Sequence, residues 1–216
     1  MPEEYQQSGK SLIIGITGGI GSGKTTAAEF YESRGFPVIY TDKLAKELMN
    51  SDEQLKSKLI ARFGKEIYND TGSLVSRRLA GIVFDGNYES GNNLDELNSI
   101  VHPYVIDEML KLTDKYVKEG KNLIFIESAL IYEAELEEGF DYIIVIDSSE
   151  KDCINRIVSR GGLTRIEAAA RIARQFDPSE KREAADFVIE NNGTKDELVK
   201  KAEDLLEIME MMNPPL

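Results

Sequence analysis

The sequence predicts an α/β fold: a five-stranded parallel sheet in a three-layer arrangement, with an inserted helical subdomain and a helical lid. Three observations predict it. Five short apolar runs read as strands, most of them continuous rather than alternating, as burial on both faces of a parallel sheet requires. Helical patterns with clear start signals separate the runs, the alternation expected of α/β layering. One interval between runs exceeds eighty residues and carries only helical stripes, far more than the dozen or so a crossover needs.

The first run is Leu12-Ile13-Ile14-Gly15-Ile16, followed by a glycine-rich segment and a helical pattern over 26–34. The second, Pro37-Val38-Ile39-Tyr40, leads through Asp42 into a helix over 43–49. The insert follows, over 43–120. Leu55, Leu59, Ile60 and Phe63 form one helical stripe there, and Val101, Val105, Met109 and Leu112 another, with Asn69-Asp70-Thr71-Gly72 as a turn. The last three runs are Leu123-Ile124-Phe125-Ile126, Tyr142-Ile143-Ile144-Val145-Ile146 and Phe187-Val188-Ile189. Thr164 with Glu167, and Thr194 with Glu197, have the spacing of capping boxes; Asp177-Pro178 reads as a cap with proline at the first helical position. The final helix puts Leu198, Ala202, Leu205, Leu206 and Met209 on one face, a stripe for packing on the sheet. The polar, acidic residues 1–10 lack the basic start and apolar run of a secretory signal and read as a flexible tail, with 11–216 a single domain.

The composition excludes several classes. No apolar run approaches the roughly 20 residues of a spanning helix. A net charge of −13 repels a nucleic-acid backbone over most of the surface. Cys153 is the only cysteine, so no internal disulfide forms, and a reducing cytoplasm is the expected setting. With one cysteine and one histidine, a soft-metal site of the zinc kind is not expected. The charge is uneven, however: from Lys151 to Arg182 eight basic residues face four acids, a local balance of +4 that suits a small anionic ligand.

Gly18-Gly19-Ile20-Gly21-Ser22-Gly23-Lys24-Thr25 stands between the first strand and a helix, the P-loop pattern in its strand–loop–helix setting. Glycines let successive N–H groups wrap an anion without Cβ clashes, and the helix that follows points its positive end at it. Lys24 is placed for the β- and γ-phosphates of ATP, with Gly19, Ile20, Gly21, Ser22, Gly23, Thr25 and Thr26 around it; the Thr25 hydroxyl is the candidate Mg²⁺ ligand.

The rest separates kinase from switch and motor. No Asp is followed by Gly three residues on, and Thr194-Lys195-Asp196 lacks the spacer of a guanine motif. Glu127 and Asp147 both end apolar strands; Glu127 is favoured to face the metal and its waters, with Asp147 a strand-end or capping residue. Asp42 closes the second strand, at the sheet end where ligands collect, and suits a base for an alcohol acceptor; its alternative role is the N-cap of the next helix. The basic stretch over 150–182 reads as the lid: Arg156 and Arg160 share one helix face and Arg171 and Arg174 the next, whereas Arg165 and Arg182 read as solvated.

Together these segments resemble the dephospho-coenzyme A kinase family over nearly the whole chain after the tail. The resemblance is carried by the P-loop, Asp42, Arg77-Arg78-Leu79, Val101-His102-Pro103, Leu130-Ile131-Tyr132-Glu133, the segment from Arg156 through Arg165, Ala170-Arg171-Ile172 and Gln175, and the ending Ala185-Asp186-Phe187-Val188-Ile189-Glu190-Asn191-Asn192-Gly193. It implies a P-loop fold and transfer of the ATP γ-phosphate, with Mg²⁺, to the ribose 3′-hydroxyl of dephospho-coenzyme A. It also implies Asp42 as base, Arg156 as lid arginine, Asn192 and Gly193 near adenine, and Asp42, Arg77, His102 and Glu127 on the acceptor side. The expected partners are these small substrates, with no nucleic acid or membrane, and a monomer or small homo-oligomer. Two positions depart from the family: Ala129 stands where proline is common, and only the last acid of an Asp-Ala-Asp strand end remains, Asp42. Both touch acceptor fit and leave the phosphoryl chemistry in place. A nucleoside, nucleotide or shikimate kinase, or a non-catalytic nucleotide-binding module, are the competing readings.

Overall fold

The computed structural model describes residues 11–84, 90–161, 163–173 and 175–214; the expected tail, and Gly162 and Arg174 of the expected lid, lie outside them. Five parallel strands form one sheet in the order β2-β3-β1-β4-β5: β1 (Leu12–Thr17), β2 (Val38–Tyr40), β3 (Leu123–Glu127), β4 (Tyr142–Asp147) and β5 (Phe187–Glu190). In register, Ile14 of β1 lies beside Phe125 and Tyr142, and Ile16 beside Glu127 and Ile144. Ile14, Ile16 and all of β3 are buried, which is why the strands read as continuous apolar runs.

Two compact units make up the chain. The sheet unit comprises residues up to Ile39 together with Thr113–Leu216. Within it, α1 (Lys24–Ser33) buries Ala27, Ala28, Phe30 and Tyr31, and the Tyr31 ring stacks on Phe125 with centroids 4.2 Å apart. Such a pair contributes about 0.5–1.5 kcal/mol beyond the area it buries. Gly15, on the opposite face of β1, leaves room for Ile131 and Phe140; a Cβ there would stand 2.7 Å from Ile131. Two aspartates pin strand starts: Asp141 accepts from Ile13 N–H (2.9 Å) and Asp186 from Ile143 N–H (2.8 Å). The closing helix α9 (Lys195–Met212) buries the five residues of its expected stripe.

The lid stretch holds α6 (Glu150–Ser159), α7 (Arg165–Ile172) and α8 (Pro178–Ala184). The capping boxes at Thr164 and Thr194 form as expected, and Asp177 caps α8 with Pro178 in its first turn. Arg182 is exposed, as expected, but it is also paired: it bridges Asp147 and Glu190 at the ends of β4 and β5. Asp147 is the strand-end residue, and α6 is capped instead by Ser149, which accepts from Asp152 N–H.

The second unit, Tyr40–Leu112, is helical: α2 (Thr41–Ser51), α3 (Glu53–Phe63), α4 (Ser76–Val83) and most of α5 (Ser90–Lys118), which carries Pro103 inside it. Asp52 caps α3 by accepting from Leu55 N–H at 2.8 Å. Leu55, Leu59 and Phe63 are buried, but Ile60 is 39% exposed, because it lies at the edge of the α3 stripe. The 69–72 turn is held by the Asn69 side chain, which accepts from the N–H groups of Thr71 and Ser73. Among the described residues of this unit, the bridge from Tyr68 to Leu74 is isolated and belongs to no strand of the sheet.

Candidate active site

The phosphate loop is built by β1 handing the chain to α1 through residues 18–23. Two of its glycines are obligatory. Gly18 has φ 147°, and a Cβ there would stand 2.3 Å from the Ile146 carbonyl. Gly23 is the N-cap of α1 in a left-handed conformation (φ 107°), with Asn191 Nδ2 2.4 Å from where a Cβ would be. No side chain caps α1, so its first N–H groups remain available to an anion.

Lys24 opens the helix and is nearly buried, its Nζ 4.0 Å from Glu127 Oε1. Thr25 Oγ1 donates to the same oxygen at 3.3 Å. Glu127 ends β3 beside β1 and is 3% exposed, so a lysine and a threonine of the loop converge on one buried carboxylate. The parallel β1–β3 pairing brings about this meeting of residues a hundred positions apart. Thr26, in the first turn, is half-buried.

Arg156 of α6 lies behind the loop. Its guanidinium donates to the Gly21 and Ser22 carbonyls (3.3 Å each), to Ser148 Oγ (2.9 Å) and to the Asn191 carbonyl (2.8 Å). Asn191, buried after β5, adds a 2.6 Å bond from its Nδ2 to Ser22 O. The carbonyls of the loop are thus held outward from the back, which leaves its N–H side facing the cradle. Asn192 accepts from Ser149 N–H at 2.8 Å, and the Gly193 carbonyl takes a long contact from Arg156. Asn191 was not singled out from the sequence; an amide directly after an apolar strand, next to Asn192 and Gly193, is the signal that could have found it.

A second contact comes from the link between α7 and α8. Gln175 Oε1 accepts from the Ile20 N–H at 2.7 Å. Nearby, Glu133 accepts from Lys181 Nζ (2.6 Å) and from Phe176 N–H (3.3 Å), and Lys181 is 2% exposed. A cavity of about 340 Å³ opens here, lined among others by Gly18, Gly19, Asp147, Gln175 and Lys181. Cys153 also borders it, and burial pushes its thiol above the usual range.

The helical unit carries the remaining expected residues. Asp42 is exposed in the first turn of α2, but it is not the N-cap: the helix begins at Thr41 with Tyr40 as cap residue. Its carboxylate is therefore free of a capping bond and sits at the favourable positive end of the helix. Arg77 is exposed in the first turn of α4. His102 is half-buried on α5, and burial holds its imidazole below the usual range, so it is neutral at pH 7. Among the described residues no cluster of three or more His, Cys, Asp or Glu could hold a metal, and no helix is long and apolar enough to cross a membrane.

The family model for dephospho-CoA kinase matches residues 12–197. A dephospho-CoA kinase of Shouchella clausii is 35% identical over 195 residues, 90% of this chain and 97% of the relative. Among solved structures, a Thermus thermophilus protein superposes with a TM-score of 0.72 at 31% identity, covering 92% of this chain and 98% of its own. A dephospho-CoA kinase from Campylobacter jejuni gives 0.63 at 26%, covering 92% and 97%. The match spans the phosphate loop, the helical unit, helices α6 to α8 and the loop after β5, and the chain belongs to the dephospho-CoA kinase family.

Proposed function

We propose that this chain transfers the γ-phosphate of ATP to the ribose 3′-hydroxyl of dephospho-CoA, giving CoA and ADP. The observation that carries the reading is the convergence of Lys24 and Thr25 on buried Glu127, at the head of a strand–loop–helix cradle, in a chain of this family.

The loop N–H groups and the α1 terminus bind the β- and γ-phosphates, and Lys24 neutralises charge on the oxygens between them. The Thr25 hydroxyl and the Glu127 carboxylate are hard oxygen donors, a pair that fits Mg²⁺ or its water shell. Bound there, Mg²⁺ would offset charge on the phosphates. Asp42 accepts the proton of the 3′-hydroxyl as that oxygen bonds to the γ-phosphorus. The bond to the β–γ bridging oxygen breaks, and ADP leaves with its electron pair. Arg77 and His102, with Glu127, serve the acceptor; Asn192 and Gly193 serve the adenine. Arg156 serves ATP by holding the loop in shape from its carbonyl side. The reaction runs in the cytoplasm.

The test is ADP release from Mg·ATP with dephospho-CoA, against a panel of nucleosides, nucleotides and shikimate. Release with dephospho-CoA, and CoA detected by mass, is expected. Turnover confined to another acceptor would remove the substrate, and nucleotide binding without any turnover would remove the enzyme.

A further inference from the structure

The Ile20 N–H belongs to the phosphate loop, yet its acceptor comes from 155 residues away, the Gln175 carboxamide. Gln175 stands in the short link between α7 and α8. That link is fixed on both sides. Gln175 N–H donates to the Ile172 carbonyl at 3.0 Å, and the next residue, Phe176, donates to Glu133, which also holds buried Lys181. The carboxamide is thereby delivered to the loop by an anchored segment and does not reach it as a loose surface side chain. It lines the 340 Å³ cavity together with Gly18, Gly19 and Ile20, and its oxygen comes within 3.5 Å of where a Cβ on Gly19 would be.

We propose that Gln175 is a placeholder in the phosphate cradle: its neutral oxygen holds the Ile20 N–H and yields it to a phosphate oxygen of the incoming nucleotide. An N–H makes one strong hydrogen bond, so the two acceptors compete. The phosphate wins because hydrogen bonds to a charged acceptor are roughly twice as strong as neutral ones. Nucleotide binding and release of the lid link are then a single exchange, and the protein binds nucleotide less tightly than an empty cradle would. This inference rests on the reading that the loop holds the phosphates of ATP.

The sign of the effect makes it testable on the full chain. ADP titrated calorimetrically should bind Gln175→Ala more tightly than wild type, by roughly two- to twelvefold, the equilibrium factor of one net hydrogen bond. Gln175→Glu, an anionic and stronger acceptor, should bind ADP more than tenfold more weakly, with the deficit shrinking as salt is raised. The Ile20 amide resonance reads the contact directly: it should differ between wild type and Gln175→Ala without nucleotide and coincide when both are saturated with ADP. Equal or weaker ADP binding by Gln175→Ala, or an Ile20 amide unmoved by that substitution, overturns the proposal while leaving the ATP reading intact. Failure of wild type and both variants alike to bind ADP would overturn both.

Discussion

Replacing Arg156 with alanine separates two ways in which one arginine can serve a kinase. Its best bonds run to the Asn191 carbonyl (2.8 Å) and Ser148 Oγ (2.9 Å), with weaker ones to Gly21 and Ser22. After truncation the Ser22 carbonyl keeps Asn191 Nδ2, and the Asn191 carbonyl keeps the Ser148 hydroxyl, whereas Gly21 loses this donor. Hydrogen bonds from a charged donor are worth about 1.5–3 kcal/mol each. Two good bonds lost at a half-buried site, partly replaced by water, amount to about 2–3 kcal/mol. For a chain of this size that lowers Tm by roughly 4–12 °C. The assay is thermal unfolding without nucleotide, together with ADP and ATP affinities and kcat. A loop braced from behind predicts a lower Tm and similar losses for both nucleotides, since both use the same N–H groups. An unchanged Tm and ADP affinity with a collapsed kcat would refute bracing and put Arg156 on the transferring phosphate instead.

The other predictions test separate parts of the machine. Asp42→Asn should keep ATP binding and lose kcat by roughly 10²–10⁴, the range for removing a general base; near-full turnover in steady-state kinetics would take that role from Asp42. Glu133→Ala strands buried Lys181 without its carboxylate, at a cost of about 3–5 kcal/mol, whereas adding Lys181→Met should recover most of the loss in thermal unfolding. Equal melting of the single variant and wild type would show that the pair does not hold the lid base. His102 has its folded-state pKa lowered by burial, so its unfolded form protonates first as pH falls. Its contribution is constant above the unfolded value of about 6.5 and is lost below it, down to the folded pKa. Between pH 8 and 5 the Tm of wild type should therefore fall relative to that of His102→Gln, and parallel curves would count against a buried neutral imidazole.

Much of the fold is written in local pattern. Continuous apolar runs mark doubly covered strands, Thr164 and Thr194 mark helix starts, and the 198–209 stripe marks the buried face of α9, because each depends on residues within a few positions. The phosphate loop is legible for the same reason: glycine, lysine and threonine at fixed spacing act through their own backbone. Helix α2 shows where local reading ends, since Tyr40 rather than Asp42 occupies its N-cap position and Asp42 makes no capping bond. What only the tertiary structure decided are the partners brought together by strand order and lid packing. Glu127 meets Thr25 because β3 lies beside β1; Arg156 and Asn191 grip the back of the loop, and Arg182 joins β4 to β5, across 8 to 169 residues of chain. Gln175 on Ile20 belongs with them. A side chain that can turn either to solvent or to a distant backbone carries no local mark of its choice; the energy that decides it exists only once the chain has folded.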